Sequence, residues 1–277
     1  MTARAASPAV INSSDALGSK VRGLWLVDAT GSIPDLKANE SSLAKTGGSN
    51  PAYSSGGLLG GQLTGNATDI ATASLGTPLS VWGWTMGCVA VYTAASVSGF
   101  QMVFGFGNAT TDSGGSFTCI GIDDGTFGAA NKWVALFRSQ DSGTVGQITG
   151  PTCTQNLLTA LIFQIDAPDA NTGRFVVNGS SFTSFANFPE SSITNAWSNA
   201  AFLGANRGGG HSFGVASSNA QVALGLLALS GVGVNSTIMT NWTNDPWTII
   251  QASGGGGFKP LWAAGSNVVL SSGARGE

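Results

Sequence analysis

The sequence predicts an all-β protein, an antiparallel β-sandwich with one short helix and an extended arm at each end. Two observations predict it. Apolar runs of strand length recur at spacings of about 8–15 residues, with Gly, Asn, Asp and Pro between them, as in a sandwich and unlike a chain that alternates strands with helices. The composition agrees: 41 glycines and 42% hydrophobic residues, but only 9% charged, where ordinary domains carry about 25%. A glycine inside a helix costs roughly 1 kcal/mol relative to alanine, which disfavours a largely helical fold. The apolar content supplies a core, so low charge here does not signal disorder.

The elements follow in order. Residues 1–19 are small and polar without periodicity, and read as an N-terminal arm. Residues 21–27 (V-R-G-L-W-L-V) form the first strand. Residues 28–57 are polar loop with room for short strands, and 58–70 carry a weak strand pair. Stronger strands lie at 81–92, 100–107, 116–123, 133–139 and 147–149. Residues 157–165 and 174–177 form a hairpin whose connection, 166–172, is built of turn residues. Asn178-Gly179 then marks a two-residue turn returning to 180–185, because both central positions of such a turn need positive φ. Residues 201–204 and 222–230 complete the body. Asn235 or Ser236 caps a helix over 237–242, and Asn244-Asp245-Pro246 stops it. The predicted domains are therefore an arm at 1–19, a sandwich at 20–250, and a Gly-rich linker with a C-terminal arm at 251–277.

Charge and length exclude several functions. Net charge is −3 and the 11 basic residues are scattered, so the electrostatic footprint of nucleic-acid binding is missing. No run approaches the roughly 18 apolar residues that span a membrane as a helix. The opening residues carry Arg4 but no apolar signal core, so the chain is expected to be made and kept in a cytoplasm. Cys88, Cys119 and Cys153 are odd in number and read as core residues, not as a disulfide framework. The sequons, Asn66-Ala67-Thr68 and Asn178-Gly179-Ser180 among them, read as accidents of composition.

Catalysis finds little material. Glycoside hydrolysis needs two carboxylates about 5–9.5 Å apart. The only glutamates are Glu40, Glu190 and Glu277, and none has an aspartate two residues away. Asp123 and Asp124 are adjacent, so on a strand they point to opposite faces. His211 is the single histidine, within a glycine run, and no Cys-x-x-Cys or His-x-x-x-His pair exists to hold zinc. The reading is non-enzymatic, with no resident cofactor. Calcium is the one candidate ion: Asp166, Asp169 and Asn171 offer oxygens in one loop, although the same residues are ordinary hairpin formers. Trp82 and Trp84 share a strand face and either stack on a sugar or fill the core; flanking Val81, Met86 and Val89 favour the core. Candidate ligand contacts otherwise sit in loops 123–132 and 207–213, through Asp123, Asp124, Arg207 and His211.

The order of motifs resembles the concanavalin A-like lectin/glucanase (laminin-G-like) jelly-roll domains of bacteriophage virion proteins. The resemblance covers residues 20–250. It is carried by V-R-G-L-W-L-V, V-W-G-W-T-M-G-C-V-A-V-Y (81–92), Q-M-V-F-G-F-G (101–107), R-F-V-V-N-G (174–179), A-F-L-G-A-N-R (201–207), the closing strand and helix at 222–242, and N-D-P-W-T-I-I (244–250). It implies a structural protein of a virion, a capsid decoration or a tail or fibre component. Such a protein would contact other virion proteins through its arms, as a homo-oligomer assembled in the host cytoplasm. The alternative expectation is a carbohydrate-binding adhesin for host glycans. The acidic stretch usual after the first strand is replaced here by I-P-D-L-K-A-N-E-S-S (33–42), so the resemblance does not carry a sugar or calcium site.

Overall fold

The computed structural model describes residues 9–27, 31–45, 52–54, 62–64, 71–79, 83–107, 116–138, 145–165, 173–183, 196–203, 215–216, 219–229 and 233–252. They form two packed sheets. The first runs β11 (Gly146–Thr152), β10 (Lys132–Arg138), β9 (Phe117–Asp123), β8 (Gln101–Gly107), β15 (Trp197–Phe202), β6 (Ala71–Leu79) and β3 (Ala44–Lys45), with β16 (Val215–Ala216) beside β8. The second runs β14 (Ser180–Thr183), β13 (Gly173–Val177), β12 (Thr159–Ile165), β7 (Trp84–Tyr92), β17 (Ala220–Leu229), β5 (Gln62–Thr64) and β4 (Ala52–Ser54). β2 (Val21–Leu26) lies on β17 beyond β5. Pairing is antiparallel except at β16, so the expected antiparallel sandwich is the fold observed.

Aromatic side chains fill the space between the sheets. Trp84 meets Phe163 and Trp197 edge-on at centroid distances of 5.3 and 5.4 Å, and Phe104 meets Phe202 at 5.3 Å. Each ring so buried contributes about 1.5–3 kcal/mol by leaving water, plus its edge-to-face term. Gly225 of β17 is what lets them close. A Cβ there would lie 2.4 Å from the Phe202 ring and 2.9 Å from Phe104.

The second sheet is covered on its other face as well. Helix α1 (Ser236–Asn244) and the 3-10 turn Pro246–Ile249 lay Met239, Trp242, Trp247 and Ile249 over Leu24, Val91, Ile162, Leu224 and Leu226. That is why 222–229 reads as a continuous apolar run: a strand buried on both faces has no polar side to show. Asn235 caps α1, its side chain accepting the Ile238 amide at 3.0 Å. The Asn178-Gly179 turn has φ of 45° and 81°, as expected, and docks on the helix through a Gly179 amide bond to Thr243 Oγ1 at 3.1 Å.

The structure corrects one expectation and adds a strand. The arm predicted over 1–19 is part of the body from Ala9 onward: β1 (Ala9–Ile11) pairs with β18 (Ile250–Ala252), and Leu17 is buried in the outer core. Its polar sequence hid this because only Leu17 and the A-V-I run contribute apolar surface. β6 was not anticipated. Its inward residues are Ala71, Ala73 and Leu75, too small to mark an alternation, and it contains Gly76 and Pro78. Trp84 fills the core, the reading its apolar flanks favour, and is 1% exposed, so it is not a ligand contact.

Candidate functional site

At one end of the sandwich three loops converge: residues 93–100 after β7, 124–131 after β9, and 153–158 after β11. They meet because Tyr92, Gln101 and Asp123 all end or begin strands on this side, with Gln101 beside Ile122. Each pair of loops is tied directly. Val97 donates its amide to Asn131 Oδ1 at 3.1 Å. Asn131 O accepts from the Cys153 amide at 2.8 Å. Tyr92 O accepts from the Asn156 amide, and Thr93 O accepts from Gln155 Nε2, both at 2.7 Å. Asn131, at φ 59°, is thus the hub, a conformation that asparagine tolerates better than most residues.

Asp123 organises the central loop from below. It is fully buried, and its carboxylate accepts the amides of Gly125 (3.0 Å), Phe127 (3.1 Å) and Ala129 (2.7 Å). The chain therefore wraps around one anion, with Gly125 and Gly128 supplying positive φ. Asp123 was expected as a ligand contact. Its oxygens are instead occupied by the loop's own N–H groups, so it positions the rim without reaching it. Asp124, one residue on, is partly exposed. Thr126 donates both its hydroxyl (2.6 Å) and its amide (3.0 Å) to Asp124 Oδ1. These bonds, helped by the backbone at Gly99, hold its carboxyl below the usual aspartate range.

The exposed groups of the rim are chiefly hydroxyls and amides: Thr126, Asn131, Thr154, Gln155 and Asn156. Lys132 and Leu157 are exposed beside them. Phe127, half-buried, stacks edge-on against Phe100 at 5.3 Å. Behind the rim Tyr92 donates its hydroxyl to Ser96 O at 3.0 Å, and burial pushes its phenol up. Donors and acceptors in fixed positions around a small apolar surface suit polyhydroxylated ligands. Among the described residues no three His, Cys, Asp or Glu side chains gather to hold a metal ion.

Trp82, Asp166, Asp169, Asn171, Arg207 and His211 lie outside the described residues. Ile165 and Gly173, which flank 166–172, are at the Trp84 end, opposite the rim. Leu203 and Val215, which flank 204–214, are at the rim end, Val215 beside Gln101. The sequence pointed to loop 123–132 but not to its two partners. Their convergence is a consequence of strand order, and a polar loop such as 153–158 carries no local mark of it.

No sequence family matches the chain, and no curated protein is similar to it in sequence. Solved structures do share its fold. The binding domain of botulinum neurotoxin serotype G superposes with a TM-score of 0.58 at 9% identity, over 80% of this chain and 50% of that one. The binding domain of botulinum neurotoxin DC, in complex with SialylT, gives 0.56 at 8% identity, over 82% and 52%. Domain 4 of AbnA, an extracellular arabinanase of Geobacillus stearothermophilus in complex with arabinotriose, gives 0.52 at 16% identity, over 81% and 98%. The chain thus spans about half of the neurotoxin binding domains and nearly the whole arabinanase domain. At such identities the likeness is one of fold alone, a β-sandwich.

Proposed function

We propose that this chain is a non-catalytic carbohydrate-binding domain and that the three-loop rim is its binding edge. One observation carries the reading: the loops are hydrogen-bonded to one another before any ligand arrives, with Thr126, Asn131, Gln155, Asn156 and the Asp124 carboxylate facing outward. A rim ordered in advance avoids much of the entropy cost of gripping a flexible sugar. Support also comes from two fold neighbours, the neurotoxin DC binding domain in complex with SialylT and the arabinanase domain in complex with arabinotriose. Non-catalytic action is supported by the rim's own carboxylates. Asp123 is enclosed by three amides, which leaves Asp124 without a second free carboxylate among the described rim residues. The reading of a virion structural protein, with partners held through arms and a homo-oligomeric assembly, rests on the sequence resemblance alone.

A glycan array probed with the full chain tests the proposal. Reproducible binding to one sugar class is expected, lost in Asp124→Ala while the unfolding midpoint is kept, and with the bound glycans chemically unchanged. No binding to any glycan, or binding indifferent to the rim, overturns it.

A further inference from the structure

Resting on the glycan-binding reading above, we propose that Asp124 is the specificity-determining residue of the rim and makes it favour neutral sugars over those bearing a carboxylate, such as sialic or uronic acids. Three observations converge. Asp124 is an acceptor-only group fixed in place, both Thr126 bonds falling on Oδ1, so it is posed to receive sugar hydroxyls. Thr126 beside it is uncharged, as are the exposed Asn131, Gln155 and Asn156 elsewhere on the rim, so none of these side chains distinguishes a neutral sugar from an anionic one by charge.

The third observation concerns the cations that an anionic sugar would need. Arginine is the side chain that matches a carboxylate with two parallel bonds. Each described arginine lies elsewhere: Arg22 is paired with Glu40, Arg138 stands over the Phe117 ring at the far end of β10, and Arg174 lies opposite Gln164 toward the other end of the sandwich. Lys132 is the described cation at the rim, and an ammonium offers a point charge without the planar fork. A sugar carboxylate brought near Asp124 meets like charge. At a few ångströms in solvent this weakens binding by roughly five- to tenfold, and salt screens the effect.

The test uses an array of paired glycans, each neutral oligosaccharide beside the same structure carrying a terminal sialic acid or a uronate, with the full chain and Asp124→Asn. The asparagine keeps the size of the side chain and removes its charge. The wild type is expected to bind the neutral member of a pair at least about fivefold more tightly. Asp124→Asn is expected to erase that ratio, and added salt to narrow it in the wild type but not in the variant. Equal binding of both members by the wild type, or an unchanged ratio in Asp124→Asn, overturns the specificity role and leaves the glycan-binding reading standing. Binding of neither member across the array overturns both. Sialylated binding that disappears in Arg207→Ala also overturns the role, since recognition would then run through that guanidinium.

Discussion

Two buried aspartates show how single side chains build this molecule. Asp35 accepts the amides of Leu24, Lys37, Asn39 and Glu40 at 2.7–3.1 Å, fixing the loop beside β2, as Asp123 fixes the rim. Replacing such a carboxylate strands buried donors, each costing about 1–3 kcal/mol. Asp123→Ala strands the buried Ala129 amide and frees the part-buried Gly125 and Phe127 amides, so it should lower the unfolding free energy in urea by at least about 1 kcal/mol and abolish glycan binding; a stable variant with an intact rim would contradict the role given to it. That the adjacent Asp123 and Asp124 face opposite ways was legible in the sequence. Which of the two turns inward was not, because the answer lies in amides supplied by residues still to come. The cysteines offer a second test. Burial pushes the Cys153 thiol up to about 12 and raises Cys88 and Cys119 further. Raised pKa values mean that folding retains protons the unfolded thiols would release. The stability this confers is full below about pH 8.5, the unfolded value, and is lost as pH rises toward the folded ones. At pH 8 the buried Cys88 and Cys119 should thus resist iodoacetamide in the native protein and react only after unfolding, the half-buried Cys153 reacting more slowly than a free thiol. Rapid labelling of Cys88 or Cys119 in the native state would contradict its enclosure.

At the scale of elements, one tie joins the two sheets and another holds the first strand over the outer face of the second sheet. The first is an ion pair: Arg22 of β2 with Glu40, whose other oxygen takes the Gly76 amide of β6 while Arg22 also donates to Thr77 O. It joins the second sheet to the first, and the Glu40 side chain is only 1% exposed. Removing one partner of a buried pair typically costs about 3–5 kcal/mol, so Glu40→Ala should destabilise by that order, with Glu40→Gln losing less because it retains an acceptor for Gly76. The second tie is the β1–β18 ribbon, extended by Asn12, whose amide and side chain bond Ile249 O and Thr248 O at 2.8 and 2.9 Å. Deleting residues 1–11 is expected to speed amide exchange at 250–252 while leaving the β7–β17 core protected; unchanged exchange there would mean that β1 adds nothing. The sequence disclosed the strands that carry large apolar residues. It hid β1, β3 and β6, whose pairing is imposed by neighbours and not by their own pattern.

As a whole, the molecule is layered around its second sheet, which is buried on one face by the aromatic core and on the other by α1, Trp247 and β18. That arrangement explains the long apolar runs, the abundance of glycine where rings must pass, and the concentration of polar chemistry at the sheet ends. The fold class was readable because alternation and turn residues are local. The rim was only half readable because it is a meeting of three loops separated in sequence by tens of residues. The central proposal is that this rim, built on a β-sandwich, binds carbohydrate. Titration calorimetry with the best array ligand tests it most directly, run on the wild type, on Asp124→Ala, and on Leu229→Ser at the opposite end. The account predicts heat of binding for the wild type and the Leu229 variant and at least a tenfold loss, about 1.4 kcal/mol, for Asp124→Ala. Binding that survives Asp124→Ala and falls with Leu229→Ser would place the site at the other end and contradict it.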